Sequence, residues 1–176
     1  IYSMKENPNP QDLILSKLLP FPNKSKIIDA VDFKNPKVRN FALAATSKHF
    51  KNVKKSGEIR TMIQCFAVFK EIRNNWNYVN DPKGSEYIAD ASESLQHFSG
   101  DCDDHAILMA ACIKAVGGTP RIIHTGGHLY PEMLIGTQKD LETATYFIKE
   151  ILFASESYNQ QIHYHIAERG QLCLNL

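Results

Sequence analysis

Between Ala106 and Val116 the only charged side chain is Lys114, and every other position is apolar. A helix that is apolar almost all the way round has no face to offer water, so it is buried on several sides. Gly117-Gly118 is a helix stop in the usual place, and Gly100-Asp101-Cys102 is a turn before it. The pattern predicts a central helix over 103–116, around which the rest of the chain is arranged. Its first turn is different in kind, since Asp101-Cys-Asp-Asp-His105 sets a polar cluster at the mouth of a buried helix. Chemistry tends to sit at such a place.

The remainder of the chain fits one domain built on that helix. It has 176 residues, 43% of them hydrophobic, which is ordinary globular material with enough apolar side chains for a core. Twenty Lys and Arg against nineteen Asp and Glu leave a net charge of +1, so no basic excess drives binding to nucleic acid or an anionic membrane. No apolar stretch approaches the length of a membrane span. Four cysteines (Cys65, Cys102, Cys112, Cys173) do not make a disulfide scaffold at this length, and Cys65 and Cys112 fall in helical patterns that suit inert buried thiols. The compartment is left open. The chain begins at Ile1 without a charged-then-apolar leader and ends inside an alternating stretch, Gln171–Leu176, so the expectation is a processed or shortened piece of a longer protein.

Along the chain, Pro8, Pro10, Pro20 and Pro22 mark residues 1–34 as an irregular arm, with one amphipathic turn around Asp12–Leu19. The domain proper is expected over 35–176. Asn35-Pro36 starts a helix through Thr46, Ser56 opens another reaching about Trp76, and Ala89–Phe98 forms a short third. After the central helix, Thr119–Thr125 and Leu129–Gly136 read as strands joined by Gly126-Gly127. Asp140–Phe153 has helical spacing, and His163–Glu168 with Gln171–Leu176 reads as a hairpin around Arg169-Gly170. Helices first and antiparallel strands afterwards make the class α+β.

Cys102 is the one cysteine at a helix N-terminus, where unpaired N–H groups and the dipole favour a thiolate. Asp101, Asp103 and Asp104 oppose this by like-charge repulsion, so a reactive thiol here needs a histidine. The competing structural reading makes Asp103 and Asp104 first-turn stabilisers and Cys102 a small buried residue. Among the histidines, His105 lies on the same helix, and His163 and His165 share a face of a later strand. His49 and His97 have no motif around them. Alternation puts His128, Tyr130, Glu132 and Leu134 on one strand face and the apolar Leu129, Met133 and Ile135 on the other. Pro131 within this strand points to an edge position or a bulge.

Gly100-Asp-Cys-Asp-Asp-His-Ala106 with Ile107–Arg121 resembles the transglutaminase-like superfamily, whose pattern is a Gly-x-Cys-x-Asp-x-Ala turn, a central helix and a Pro-x-Arg strand. His128-Leu-Tyr-Pro-Glu132 stands where that family has His-Ala-Trp-x-Glu. Trp76-Asn-Tyr78 with Asp81-Pro82 resembles an aromatic segment that precedes the cysteine in many bacterial members. The likeness covers about residues 76–176. It implies a papain-like fold, with Cys102 as nucleophile and His128 as general base, and a peptide or protein amide as substrate without a cofactor. Trp76 or Tyr78 would add an oxyanion donor, or serve as an aromatic anchor under the helix, and Asp101 and Tyr130 would join them as oxyanion or substrate residues. The family's aspartate would fall immediately after Leu176. Asn175, on the same strand face, is the substitute orienter within the chain, and Glu132 reads as a support or surface residue.

Two other classes were weighed. A metal site could draw on His124, His128, His163, His165 and the Asp-rich turn. His124 and His128 straddle a Gly-Gly turn, however, and no Cys-x-x-Cys occurs, so no metal is expected. A transglutaminase-like module that binds without catalysing is the other alternative. The absence of a calcium-loop pattern favours hydrolysis over cross-linking.

Overall fold

Proline and glycine set the limits of several elements. The fold is given by a computed structural model, described over residues 21, 23–50, 57–154, 162–167 and 170–176. Helix α1 (Lys24–Ala30) lies inside the stretch expected to be an irregular arm, and its Ile27 and Ala30 join the core. The turn expected around Asp12–Leu19 lies outside the described residues. Helix α2 (Pro36–His49) starts as its sequence directs. The Asn35 side chain accepts the Lys37 N–H at 3.0 Å, and Pro36 takes the first helical position. Helix α3 (Glu58–Asn75) follows Gly57, while the expected opening residue Ser56 is outside the described set. A two-residue strand β1 (Asn77–Tyr78), helix α4 (Ala91–His97) and strand β2 (Ser99–Gly100) lead into the central helix α5 (Cys102–Ala115).

Every residue of α5 from Ala106 to Ile113 is buried, as its apolar circumference requires. Helices α1–α4 pack on one side of it and a four-stranded antiparallel sheet on the other. Strands β3 (Pro120–Thr125) and β4 (His128–Gly136) are joined by Gly126-Gly127, both at positive φ, the conformation a two-residue hairpin turn demands. Helix α6 (Gln138–Tyr146) continues into a π-helical turn, Phe147–Leu152. It begins two residues before the expected Asp140, because Thr137 and Asp140 form a capping box. Strands β5 (Tyr164–Ile166) and β6 (Leu172–Asn175) complete the sheet in the order β3-β4-β6-β5. Residue 168, at the end of the first expected strand, and residue 169, in the expected turn, are outside the described set.

The register divides the sheet into two faces. Leu129, Met133, Leu172 and Leu174 enter the core with α5, while Arg121, His128, Tyr130, Glu132, Cys173 and Asn175 take the opposite face. Strand β4 is an inner strand, which corrects the edge position suggested by Pro131. The Pro131 carbonyl accepts from the Leu176 N–H at 3.1 Å, and in an antiparallel strand the missing N–H falls on that same side, so the ladder to β3 survives. A bulge does occur, further along, between Leu134 and Gly136. Among the described residues no helix is long and apolar enough to cross a membrane.

Candidate active site

Cys102 is the first residue of α5, and the turn before it is built by close contacts. The Asp101 side chain caps the helix, accepting the Asp103 N–H at 3.1 Å. Asp104 reaches across to accept the Ala89 N–H at 2.9 Å, tying the segment before α4 to the start of α5. Gly100 is there because Asp104 is: a Cβ at Gly100 would stand 2.3 Å from Asp104 Oδ2. Asp103 and Asp104 are both buried. Burial, and then the Asp101 hydrogen bond and charge, push the Asp103 carboxyl up to about 8, so it holds its proton at neutral pH. Asp104 is pushed up in the same way, by burial first and then by the Asp101 charge, although the Ala89 bond draws it back.

Strand β1 pairs in parallel with β2, setting Asn77 opposite Ser99 and Tyr78 opposite Gly100, two residues before the thiol. This brings the Tyr78 hydroxyl near the Cys102 thiol, and burial first, then the neighbouring Cys102, Asp101 and Asp103 charges, raise the hydroxyl from its ordinary value. Trp76, just before β1, does not reach the sulfur. It lies edge-on to His105, with ring centroids 5.2 Å apart, under the first turn of α5. Of the two aromatic residues, Tyr78 meets the thiol and Trp76 underpins the helix.

From the sheet side, the backbone N–H of Leu129 lies near enough to the Cys102 thiol to favour its charged form, as does the N–H of Cys102 itself. His128 is the residue before Leu129, exposed at the open end of β4, opposite Thr125. Its ring lies nearly parallel to that of Tyr130, 6.4 Å between centroids. Burial, with added repulsion from His128, drops the His105 imidazole to about 4, so His105 is neutral and lies close to His128. The Cys102 thiol is raised from its ordinary value by burial and then by Asp101 and Asp103, against the pull of the two N–H groups. Burial also raises Cys65, to about 12, and Cys112, which makes both inert.

Asn175 lies away from this cluster. It is paired with Glu132, four positions along β4 from His128, or about 13 Å at the usual strand rise. Glu132 is fully buried, which corrects its reading as a surface residue. It lies with Asn175 on the outer sheet face beside His165.

The family model of the transglutaminase-like superfamily matches residues 51–160. The chain belongs to the transglutaminase-like superfamily. Members are typically cysteine-dependent acyltransferases or proteases, and the mixed helix-and-sheet architecture described above is consistent with a transglutaminase-like core. The match takes in Trp76, Tyr78, Asp101, Cys102, His128 and Tyr130, and stops before Asn175. No curated protein and no solved structure matches the chain. Within this transglutaminase-like domain, sequence reasoning missed the Leu129 N–H, because a backbone donor leaves no mark on residue type. It also missed the β1–β2 pairing, since two-residue strands carry no periodicity.

Proposed function

We propose that this domain transfers acyl groups from amide bonds through a thioester on Cys102, with water as the usual acceptor. The observation that carries this reading is the neighbourhood of the Cys102 thiol, which takes in Tyr78 from β1 and the Leu129 N–H from β4, with His128 one residue along β4 and close enough to the first turn of α5 to repel His105. The resting thiol is protonated, so its activation needs a base when substrate arrives. His128, exposed at the strand end, takes the thiol proton as sulfur attacks the carbonyl carbon, and returns it to the departing amine. The N–H of Cys102, together with the Tyr78 hydroxyl, supports the developing oxyanion. Water then enters by the reverse sequence and releases the acid. Because Asp103 keeps its proton, one negative charge is withheld from the attacking sulfur. Asn175 is not the orienter in this reading, because its register partner Glu132 stands four positions along β4 from His128.

Intact-mass measurement of the protein after a pulse of an activated peptide ester tests the reading. The expected result is a single acyl adduct mapped to Cys102 that decays to free acid, with little transfer to an added amine. Decay mainly to the amide would assign transfer instead of hydrolysis. No adduct on a thiol that still reacts with a disulfide reagent would assign the domain to the binding modules.

A further inference from the structure

The outer face of the sheet holds a second cluster, which the reaction at Cys102 does not use. Glu132 on β4, Cys173 on β6 and His165 on β5 come from three neighbouring strands, with His165 the register partner of Cys173. His165 Nδ1 lies 2.9 Å from Glu132 Oε1, and one donor atom from each of the three residues falls within 4.8 Å of the others. Glu132 and Cys173 are fully buried, while the His165 side chain is 43% exposed and forms the way in. Three oxygens here make no hydrogen bond among the described residues: both of Glu132, although Oε1 lies against His165 Nδ1, and Oδ1 of its register partner Asn175. A buried carboxylate left partly unpaired is costly, and a cation is one thing that satisfies it.

We propose that Glu132, His165 and Cys173 bind a divalent cation of the zinc class, with a fourth position open to water beside His165. The donor set decides the class. One thiolate, one imidazole and one carboxylate suit a borderline-soft ion, whereas calcium and magnesium prefer all-oxygen shells. Zinc bonds to such donors place the ligand atoms about 3.3–3.8 Å apart, so the cluster needs only a small adjustment. Binding displaces to solvent the thiol proton and the proton between Glu132 and His165. The charges then balance, two anionic ligands against a dication. Arg121 is the opposing group, because its Nη1 lies 3.2 Å from Cys173 Sγ. It stands exposed on edge strand β3 and swings outward as the ion enters. The ion would fasten β4, β5 and β6 together, on the strand that carries His128.

Cobalt is the probe, in Cys102→Ser protein, so that the thiol at the candidate active site cannot supply the signal. One equivalent of Co²⁺ is expected to give a thiolate-to-cobalt absorption band that an equivalent of Zn²⁺ abolishes. Zn²⁺ should raise the melting temperature where Mg²⁺ and Ca²⁺ do not. Adding Cys173→Ser should remove the band, and adding His165→Ala should weaken binding at least tenfold, with circular dichroism reporting the fold of each variant. If Cys173→Ser unfolds, the partly exposed His165 decides the matter alone. Absence of the band, or a band and affinity unchanged in His165→Ala, overturns the proposal. Acyl transfer is not read in this experiment, so its outcome is independent of the role given to Cys102.

Discussion

The Leu129 backbone N–H lies near enough to the Cys102 thiol to favour its charged form, so the second residue of strand β4 stands beside the first residue of the central helix. Because the donor is a backbone group in a paired strand, no side chain has to be ordered to make the contact. His128, one residue earlier on β4, is close enough to the first turn of α5 to repel His105. The site is therefore held from two directions, by β4 on one side and by Tyr78 on the other.

Tyr78→Phe tests the second of these. The ring remains and only the hydroxyl is lost, and Tyr78 is exposed, so stability should change by less than about 0.5 kcal/mol. Loss of a hydroxyl that supports the oxyanion should slow acylation by about a hundredfold. Acylation kinetics together with a thermal melt separate the two effects.

Gly100→Ala should harm the site through packing. The added methyl would meet Asp104 Oδ2 at 2.3 Å, and Asp104 is buried and bonded to Ala89, so it has little room to retreat. A loss of about 1–3 kcal/mol is expected. Chemical denaturation should show it, and acylation should fall as the start of α5 shifts.

The first turn of α5 also sets a pH dependence of stability. Asp103 rises from an ordinary 3.8 to about 8 on folding, so its contribution is complete below pH 3.8 and lost as pH climbs through 8. His105 falls from 6.5 to about 4, so its contribution is complete above pH 6.5 and lost as pH drops through 4. Between about pH 4 and 6.5 the two slopes oppose each other. From 6.5 to 8 only the decline due to Asp103 should be visible. The melting temperature should therefore fall over that upper range, and fall less in Asp103→Asn.

Much of this fold is legible in residue order. An apolar run with one lysine can be satisfied only by burial on all sides, and strict alternation assigns His128 and Glu132 to one face of β4. What alternation cannot say is whether that face meets water. Glu132 is fully buried although its strand neighbour His128 is exposed, because tertiary packing decides which part of a face is covered. The start of α6 was readable from Thr137 and Asp140, whose spacing is a capping box, but the apolar period begins later and drew the boundary with it. The Glu132–His165–Cys173 cluster had no local signature, since its members meet through strand register and not through a spaced motif.

The most direct test of the central claim is the rate at which an activated ester acylates Cys102 in the unmodified chain, in His128→Ala and in His105→Gln. If His128 is the base, its removal should slow acylation by about a hundredfold or more. Replacement of the neutral, half-buried His105 should change the rate only a few-fold. Equal rates in His128→Ala and the unmodified chain would contradict the assignment of Cys102 and His128 as a catalytic pair.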